Sequence, residues 1–274
     1  MNTYLKNYDN FKKYIIYDFS TGSGGIGDCI KFFLYTVTLC IKHNYKICYK
    51  VTGNNIENFL KLKHEFMYIK ENEIDTSRCI TLKNGNFKIT RLYNIVKPHV
   101  LYHDFSEKSI ENINASEFFY FSQSVVNNVK NIIELPGMKE KYISFHVRLG
   151  DKFLETDKSF VYPLNLEDTR IFSEKAFMHE ISKYKNENVL LFCDNNKYKH
   201  EICEKFENVM ITKAVAAHSD LKSTSYQELL DTVTEFYIIC NSSVIYAVSK
   251  SGFSFVASLF NNSQLIKMYE TLCS

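Results

Sequence analysis

One stretch in the middle of the chain places several ionisable side chains within a few residues of each other. The segment Ser144–Lys152 reads SFHVRLGDK. Its apolar start predicts a β-strand over Tyr142–Val147, which breaks at Leu149 and Gly150 into a charged loop. The guanidinium of Arg148 fits a phosphate bidentately. Because ligands of open α/β sheets bind at the carboxyl ends of strands, the stretch indicates an anionic, phosphorylated ligand.

A glycine-rich turn near the N-terminus is a second candidate for ligand binding. Gly22, Gly24, Gly25 and Gly27 precede Asp28, between a predicted strand and a predicted helix. The spacing matches neither a strict G-x-G-x-x-G motif nor a Walker A loop. Glycines let a ligand approach the backbone, and a helix N-terminus favours anions. An ordinary strand-to-helix turn explains the same glycines equally well.

A third candidate is a predicted helix start near the C-terminus. It reads Ser251-Gly252-Phe253-Ser254 and follows a predicted buried strand, Val244–Val248. Small hydroxyls and the free amides of a first helical turn suit a phosphate. Taken alone, an ordinary N-cap is the better interpretation of these residues.

The elements that must position these three sites alternate along the chain. Short apolar strands followed by helical segments predict an α/β protein with parallel sheets. The pattern breaks at Leu135-Pro136-Gly137, which predicts two domains, 1–138 and 139–274. Residues 52–140 are the least periodic part. The predicted strands are Tyr14–Phe19, Lys46–Val51, Phe118–Phe121, Tyr142–Val147, Val189–Cys193, Val209–Thr212, Val244–Val248 and Leu265–Met268. The predicted helices are Cys29–His43, Ser122–Ile133, Phe172–Tyr184, Lys197–Phe206, Tyr226–Cys240 and Phe253–Phe260.

Composition excludes several classes of protein. The 274-residue chain carries a net charge of only +2, so it lacks the strong basic excess of a general nucleic-acid binder. We expect no membrane span, because the sequence has no stretch of about 18 uninterrupted apolar residues. The eight cysteines form no C-x-x-C pair, and no signal-like segment is visible. These features predict a reduced, cytoplasmic protein without a zinc site. The expected absence of a membrane anchor fits a bacterial or viral protein, and the richness in Asn, Ile and Lys suggests an AT-rich genome.

Taken together, the motifs resemble the fucosyltransferase superfamily, which includes α1,2-, α1,6- and protein O-fucosyltransferases. His146–Lys152 is similar to the family's H-V-R-R-G/T-D signature, and Leu191–Asn195 to its F-S-D-D segment. Leu230–Phe255 resembles its closing helix–strand–helix, which ends in S-S-F-S, and Gly24–Asp28 its G-G-L-G-N turn. The resemblance implies a GT-B fold, with two Rossmann-like domains and a cleft between them. It also implies inverting, metal-independent transfer of fucose from GDP-fucose, a substrate and not a cofactor, to a glycan hydroxyl.

The sequence departs from the family pattern at two positions. Leu149 stands where the family has a second arginine. The α1,6 branch places a base glutamate five residues after the motif aspartate, and position 156 is a threonine here. Glu155 and Asp157 flank that position, and inversion requires a base that deprotonates the acceptor hydroxyl. We expect Glu155 to be the base, with Asp157 as the alternative.

The resemblance also implies roles for the remaining candidates. Arg148 would hold the β-phosphate, with Lys152 as a second cation of the same loop. His146 would contact guanine or ribose, and Asp231 or Glu235 would accept the guanine N1–H and N2–H pair. Asp151 would orient Arg148. The other residues implied to bind the donor are Gly24, Gly25, Gly27, Asp28, Asp194, Ser251, Gly252, Phe253 and Ser254.

Some alternatives stay open. Asp28, His103 and Asp104 of the first half are further carboxylate or imidazole candidates for the acceptor side. The Gly-Gly-Ile-Gly-Asp turn is also similar to the heptosyltransferase pattern, which would mean a different nucleotide sugar. A non-catalytic glycan- or nucleotide-binding module is the alternative from another class. The sequence leaves the acceptor's identity and the oligomeric state open.

Overall fold

The computed structural model describes most of the chain. The described residues are 2–20, 24–52, 55–69, 79–81, 93–96, 106–133, 141–153, 168–215, 217 and 224–272. Glu155, Asp157, His103 and Asp104 lie outside them, as does the predicted domain boundary between residues 138 and 139. Among the described residues, no helix combines the length and apolar character needed to cross a membrane.

Strands and helices alternate through the described residues, as predicted for an α/β protein. The strands are β1 (Tyr14–Ser20), β2 (Lys46–Thr52), β3 (Leu60–Leu62), β4 (Cys79–Thr81), β5 (Tyr93–Val96), β6 (Phe119–Phe121), β7 (Ile143–Val147), β8 (Val189–Cys193), β9 (Val209–Ile211), β10 (Val244–Ala247) and β11 (Gln264–Lys267). The α-helices are α1 (Asn2–Lys6), α2 (Ile26–His43), α3 (Gln123–Ile132), α4 (Glu174–Ile181), α5 (Asn196–Lys205), α6 (Tyr226–Cys240) and α7 (Gly252–Asn261).

Two parallel sheets organise the molecule. The first has the strand order β2-β1-β5-β4 and the second β11-β10-β7-β8-β9. A small antiparallel pair joins β3, which precedes β4 in the chain, to β6, which follows β5. Each half therefore has the helix-and-parallel-sheet build of a Rossmann-like domain. The three predicted sites follow β1, β7 and β10, so each lies at the carboxyl end of a parallel strand.

Apolar side chains of both halves pack into one continuous core. Helix α2 contacts α7, and α3 packs against α6. The ring centroid of Phe121 lies 6.0 Å from that of Phe236 and 5.2 Å from that of Phe260. The second sheet buries its other face in a separate cluster that includes Phe145 and Phe177. Contact between the halves thus rests on buried apolar surface, which holds the strand ends that meet at the cleft.

Candidate functional site

The three stretches singled out in the sequence meet at one cavity of about 380 Å³. Each stretch contributes wall residues from the end of a strand. The lining residues comprise both charge signs together with small and aromatic side chains. They are Gly25, Ile26, Gly27, Asp28, Lys31, Glu107, His146, Arg148, Arg170, Phe192, Cys193, Asp194, Ala217, Leu229, Thr232, Glu235, Lys250, Ser251, Gly252 and Phe253. The volume lies in the range of small-molecule and cofactor sites.

Two helix N-termini, one from each half, form one side of this cavity. Gly27 in the first turn of α2 lies against Gly252, the first residue of α7. A Cβ atom on Gly27 would meet the Gly252 carbonyl carbon at 2.7 Å and the Phe253 amide nitrogen at 2.8 Å. First-turn amides have no partner within their own helix, and they carry the positive end of its dipole. Ser251 caps α7 by accepting from the Phe253 amide at 3.2 Å. The first turns of both helices thus line the cavity, where the positive ends of their dipoles favour an anion.

Arg148 is held by its own loop and by two neighbouring strand ends. Its side chain donates to Asp151 in a short ion pair. Its amide donates to the Ser249 hydroxyl at 2.8 Å, and that hydroxyl donates back to the Arg148 carbonyl at 2.7 Å. Asp194 accepts from the amides of Leu149 and Gly150 at 2.7 and 3.0 Å. Both oxygens of Asp194 are therefore occupied in shaping the loop, although the residue also lines the cavity.

Close packing at Gly150 allows a second arginine, Arg170, to lie beside this loop. Gly150 has a φ of +111° and lies so close to residue 168 that a Cβ would meet the Asp168 carbonyl at 2.3 Å. The Arg170 amide donates to the Leu149 carbonyl at 2.8 Å, and its Nε pairs with Asp168 at 3.1 Å. The Arg170 side chain is about 36% exposed and lines the cavity. Arg170 thus contacts through its backbone the residue at which the sequence lacks the expected arginine, Leu149, and its side chain adds a second guanidinium to the cavity lining.

Sequence reasoning missed several charged residues of this wall. Lys31 lies one turn after Gly27 on α2 and pairs with Asp28 at 2.8 Å. Glu107, in a 3₁₀ turn of the first half, accepts from Lys267 at 2.9 Å. Lys31 could have been found from the sequence, because it lies four residues after Gly27 and therefore on the same face of the predicted helix. Glu107 falls in the least periodic part of the chain, and Arg170 reaches the cavity only through contacts with the loop of Leu149.

His146 is buried in the cavity wall and lies on Phe253, with ring centroids 5.3 Å apart and planes inclined by 27°. Burial, assisted by the Arg148 charge, lowers the pKa of His146 to about 3. Its Nδ1 is buried without a hydrogen-bond partner. The ring is therefore neutral at ordinary pH. It offers a stacking face and polar atoms but no charge for a phosphate.

Of the two acidic candidates on α6, Glu235 lines the cavity and Asp231 does not. Asp231 accepts from Asn128 and from Gln227, both at 2.7 Å. Glu235 is buried and accepts a short hydrogen bond from Thr212. The Nζ atom of Lys199 lies 3.8 Å from the same Glu235 oxygen. Burial raises the pKa of Glu235, while Lys199 and Thr212 act against that rise.

The remaining predicted residues lie beside the cavity or outside the described part of the chain. Gly24 adjoins Asp28, and Lys152 lies in the exposed turn after Asp151, its Nζ 5.9 Å from the Phe153 ring. The Ser254 hydroxyl is buried and donates to the Ser251 carbonyl at 3.4 Å. None of these three lines the cavity. Among the described residues, no group of three or more His, Cys, Asp or Glu side chains is arranged to hold a metal ion.

Comparison with known proteins gives a match in structure only. No protein-family model and no curated protein matches the sequence. The fucosyltransferase NodZ from Bradyrhizobium covers 91% of this chain and 93% of its own, with a TM-score of 0.54 and 9% identity. An Arabidopsis thaliana FUT1 mutant in complex with GDP covers 96% and 73%, with a TM-score of 0.54 and 12% identity. POFUT1 in complex with GDP covers 93% and 96%, with a TM-score of 0.54 and 10% identity.

These matches define the class of the fold. Two parallel-sheet halves with a cleft at their strand ends, similar over most of the chain to solved glycosyltransferases, form a GT-B fold. Within that class, the chain has the fold of the fucosyltransferases. The fold class expected from the sequence motifs is thereby confirmed.

Proposed function

We propose that the protein is an inverting fucosyltransferase that transfers fucose from GDP-fucose to a hydroxyl group of a glycan. The observation that carries the proposal is the cavity, whose lining combines arginines, two helix N-termini and a buried carboxylate. Two proteins of similar fold are solved in complex with GDP, and NodZ, an α-1,6-fucosyltransferase, in a structure soaked with GDP-fucose. With identities of only 9–12%, the likeness supports the donor class through the fold.

The diphosphate of the donor fits the cationic side of the cavity. Arg148 and Arg170 both line it, and Lys250 lies immediately before the α7 N-terminus. Asp151 pairs with Arg148, and Asp168 pairs with Arg170. Each ion pair orients its guanidinium and leaves the other N–H groups of that guanidinium for the diphosphate. Hydrogen bonds to a charged group contribute about 1.5–3 kcal/mol each. Those contacts that strengthen as GDP departs lower the barrier.

The guanine base fits an acidic group of the cavity. Guanine presents two adjacent donors, N1–H and N2–H, which match a carboxylate. Glu235 supports this role because it is the acidic residue of α6 that lines the cavity. Its neighbour Asp231 already accepts from two side-chain amides. His146 and Phe253 add stacked rings in the same wall, which suit contact with the base or the ribose.

Transfer itself needs an acceptor oxygen that attacks C1 of fucose from the face opposite the diphosphate. The bond from C1 to the β-phosphate oxygen breaks, its electrons leave with GDP, and a base takes the proton of the acceptor hydroxyl. Glu155 and Asp157 are the proposed bases, and both lie outside the described residues. Asp28 lines the cavity and is the first-half candidate for the acceptor side. The chain's cations and amides meet the charge of the leaving GDP.

The test is a donor survey followed by a variant. We expect purified protein to bind GDP at least about tenfold more tightly than ADP or UDP, a difference of about 1.4 kcal/mol, and to hydrolyse GDP-fucose slowly. Preference for ADP or UDP would point to another nucleotide sugar, as in the heptosyltransferase-like alternative. Tight GDP binding without hydrolysis or transfer would point to a non-catalytic module.

Replacement of Arg148 tests the role of the cations. We expect Arg148→Ala to keep the fold and to lose transfer by about a hundredfold or more, and Arg170→Gln to weaken GDP binding by about tenfold or more. Lys175→Ala, an exposed cation on α4 outside the cavity, is the matched control. Normal turnover by a folded Arg148→Ala protein would exclude the arginine from the reaction.

A further inference from the structure

A buried lysine lies behind the cavity and takes no direct part in the function proposed above. Lys199 on α5 is 1% exposed, which is rare for a lysine. Its Nζ donates to the Ala214 carbonyl at 2.8 Å and lies 3.8 Å from Oε1 of Glu235. It does not line the cavity. A charge buried in this way needs a partner to offset its lost hydration, and Glu235 is the acid beside it.

Thr212 completes the arrangement from the end of β9. Its hydroxyl is buried and donates to the same Oε1 of Glu235. Among the described residues, both contacts fall on Oε1, which leaves Oε2 for a ligand in the cavity. An ionised carboxylate has about four acceptor positions. Two of them therefore remain for a pair of donors on a ligand.

We propose that Lys199 and Thr212 are positioning residues that keep Glu235 as a carboxylate facing the cavity, and that they thereby set the preference of the site for guanine. The inference rests on the proposed function, since it assumes a nucleotide donor. An ionised Glu235 accepts two hydrogen bonds from the adjacent donors of guanine. A protonated Glu235 donates one of its own, which places a donor against a donor. Adenine presents one donor, its amino group, beside an acceptor, N1, so it does not match the ionised form.

The surroundings of Glu235 explain why it needs this support. Burial raises its pKa, and Asp231, one turn earlier on α6, adds to the rise. Lys199 and the Thr212 hydrogen bond lower it again. Cys193 of β8 lies near Lys199, but burial raises the pKa of its thiol and keeps it neutral. His146 lines the same cavity and is neutral above about pH 3. Loss of either supporting group should therefore move protonation of Glu235 to higher pH.

The experiment is a calorimetric titration with GDP and with ADP between about pH 6 and about pH 9, the range above the usual pKa of a glutamate. For Lys199→Met at about pH 7, we expect GDP affinity to be about tenfold or more weaker than in the wild type. It should recover as the pH rises, and ADP affinity should not fall at any pH. Thr212→Val should shift the GDP profile in the same direction by a smaller amount. Lys205→Met, an exposed lysine at the end of the same helix, should match the wild type.

The pH profile separates the possible results. A uniform loss of GDP affinity at every pH in Lys199→Met would mean that the lysine has only a structural role, and a wild-type profile would mean that it has none; either result overturns the inference. If Lys199→Met does not fold, Thr212→Val decides alone, and an unchanged profile there overturns the inference. A wild-type protein without any preference for GDP over ADP would instead refute the proposed function, a result that is visible before any variant is made.

Discussion

At the scale of single residues, burial decides what a side chain can contribute. His146 and Arg148 are two residues apart, at the end of the same strand. The histidine is buried and neutral, while Arg148 keeps a partly exposed guanidinium paired with Asp151. The strand tip therefore offers one permanent cation and one neutral ring. Residue type alone leaves the histidine's charge open, because its ordinary pKa is near neutral.

The neutral state of His146 makes stability depend on pH. Its pKa is about 3 in the folded protein, against an ordinary value of 6.5. Between these values the unfolded chain binds a proton that the folded chain does not, so stability falls as the pH drops, by at most about 1.4 kcal/mol per pH unit. Between about pH 7 and about pH 5, we expect the free energy of unfolding of the wild type to fall by up to about 2 kcal/mol through this histidine. The His146→Phe variant should not show this fall. Urea unfolding at both pH values measures the difference, and an equal change in the free energy of unfolding with pH in the two proteins would contradict the prediction.

The site residues that could be predicted from the sequence are those that follow strands. Arg148, Gly27 and Ser251 all follow apolar runs that predict strands. Ligands of parallel sheets bind at the carboxyl ends of such strands. Lys199 could not be predicted, because α5 carries several lysines and only the fold shows which of them is buried. The distinction between Glu235 and Asp231 depends in the same way on which turn of α6 faces the cavity.

At the scale of elements, the close approach of α2 and α7 places two helix N-termini in the lining of the cavity. The two helices belong to different halves, yet Gly27 and Gly252 bring their first turns into backbone contact. A side chain at position 27 would hold the two N-termini apart. Gly27 thus serves helix-to-helix packing in addition to any contact with a ligand.

This contact predicts opposite outcomes for two facing glycines. A Cβ on Gly27 would meet backbone atoms of Gly252 and Phe253 within 2.8 Å. The nearest atom to a Cβ on Gly252 would be the flexible end of Lys31, at 3.3 Å, with Asp28 and Gly27 at 4.0 Å. We expect Gly27→Ala to lower the free energy of unfolding by about 1–3 kcal/mol, as overpacking does. Gly252→Ala should stay within about 0.5 kcal/mol of the wild type. Urea unfolding of both variants checks this, and a Gly27→Ala protein as stable as the wild type would show that the crossing does not depend on Gly27.

The elements themselves could be predicted where pattern and length agree. Helix α6 and strand β8 have the predicted ends, and the other strands of the second sheet lie within one residue at each end. The predicted helix Phe172–Tyr184 is shorter, since α4 ends at Ile181 and a 3₁₀ turn follows. The sequence did not predict β3, β4 or β5. These strands have three or four residues, and their existence depends on pairing with a neighbour more than on their own pattern.

At the scale of the whole molecule, the two sheets are joined by a shared core. Helices α6 and α7 alternate with the last strands of the second sheet, yet their apolar faces pack together with α2 and α3 of the first half. Because the cavity lies where the halves meet, the packing that stabilises the protein also fixes the relative position of Arg148 and the α2 N-terminus. Separation of the two halves would expose this apolar surface, and it would also move apart the residues that line the cavity.

A shared core predicts that the two halves unfold together. Phe33 is buried among rings of the first half, and Phe177 lies in the cluster on the far face of the second sheet. Replacement of either by alanine should cost about 3–5 kcal/mol. If unfolding is a single cooperative transition, both variants must lower the midpoint of that same transition. Urea unfolding followed by circular dichroism and by tyrosine fluorescence tests this. Two separate transitions, with Phe33→Ala moving only one of them, would show that the halves are stable independently and that the cleft between them is free to change shape.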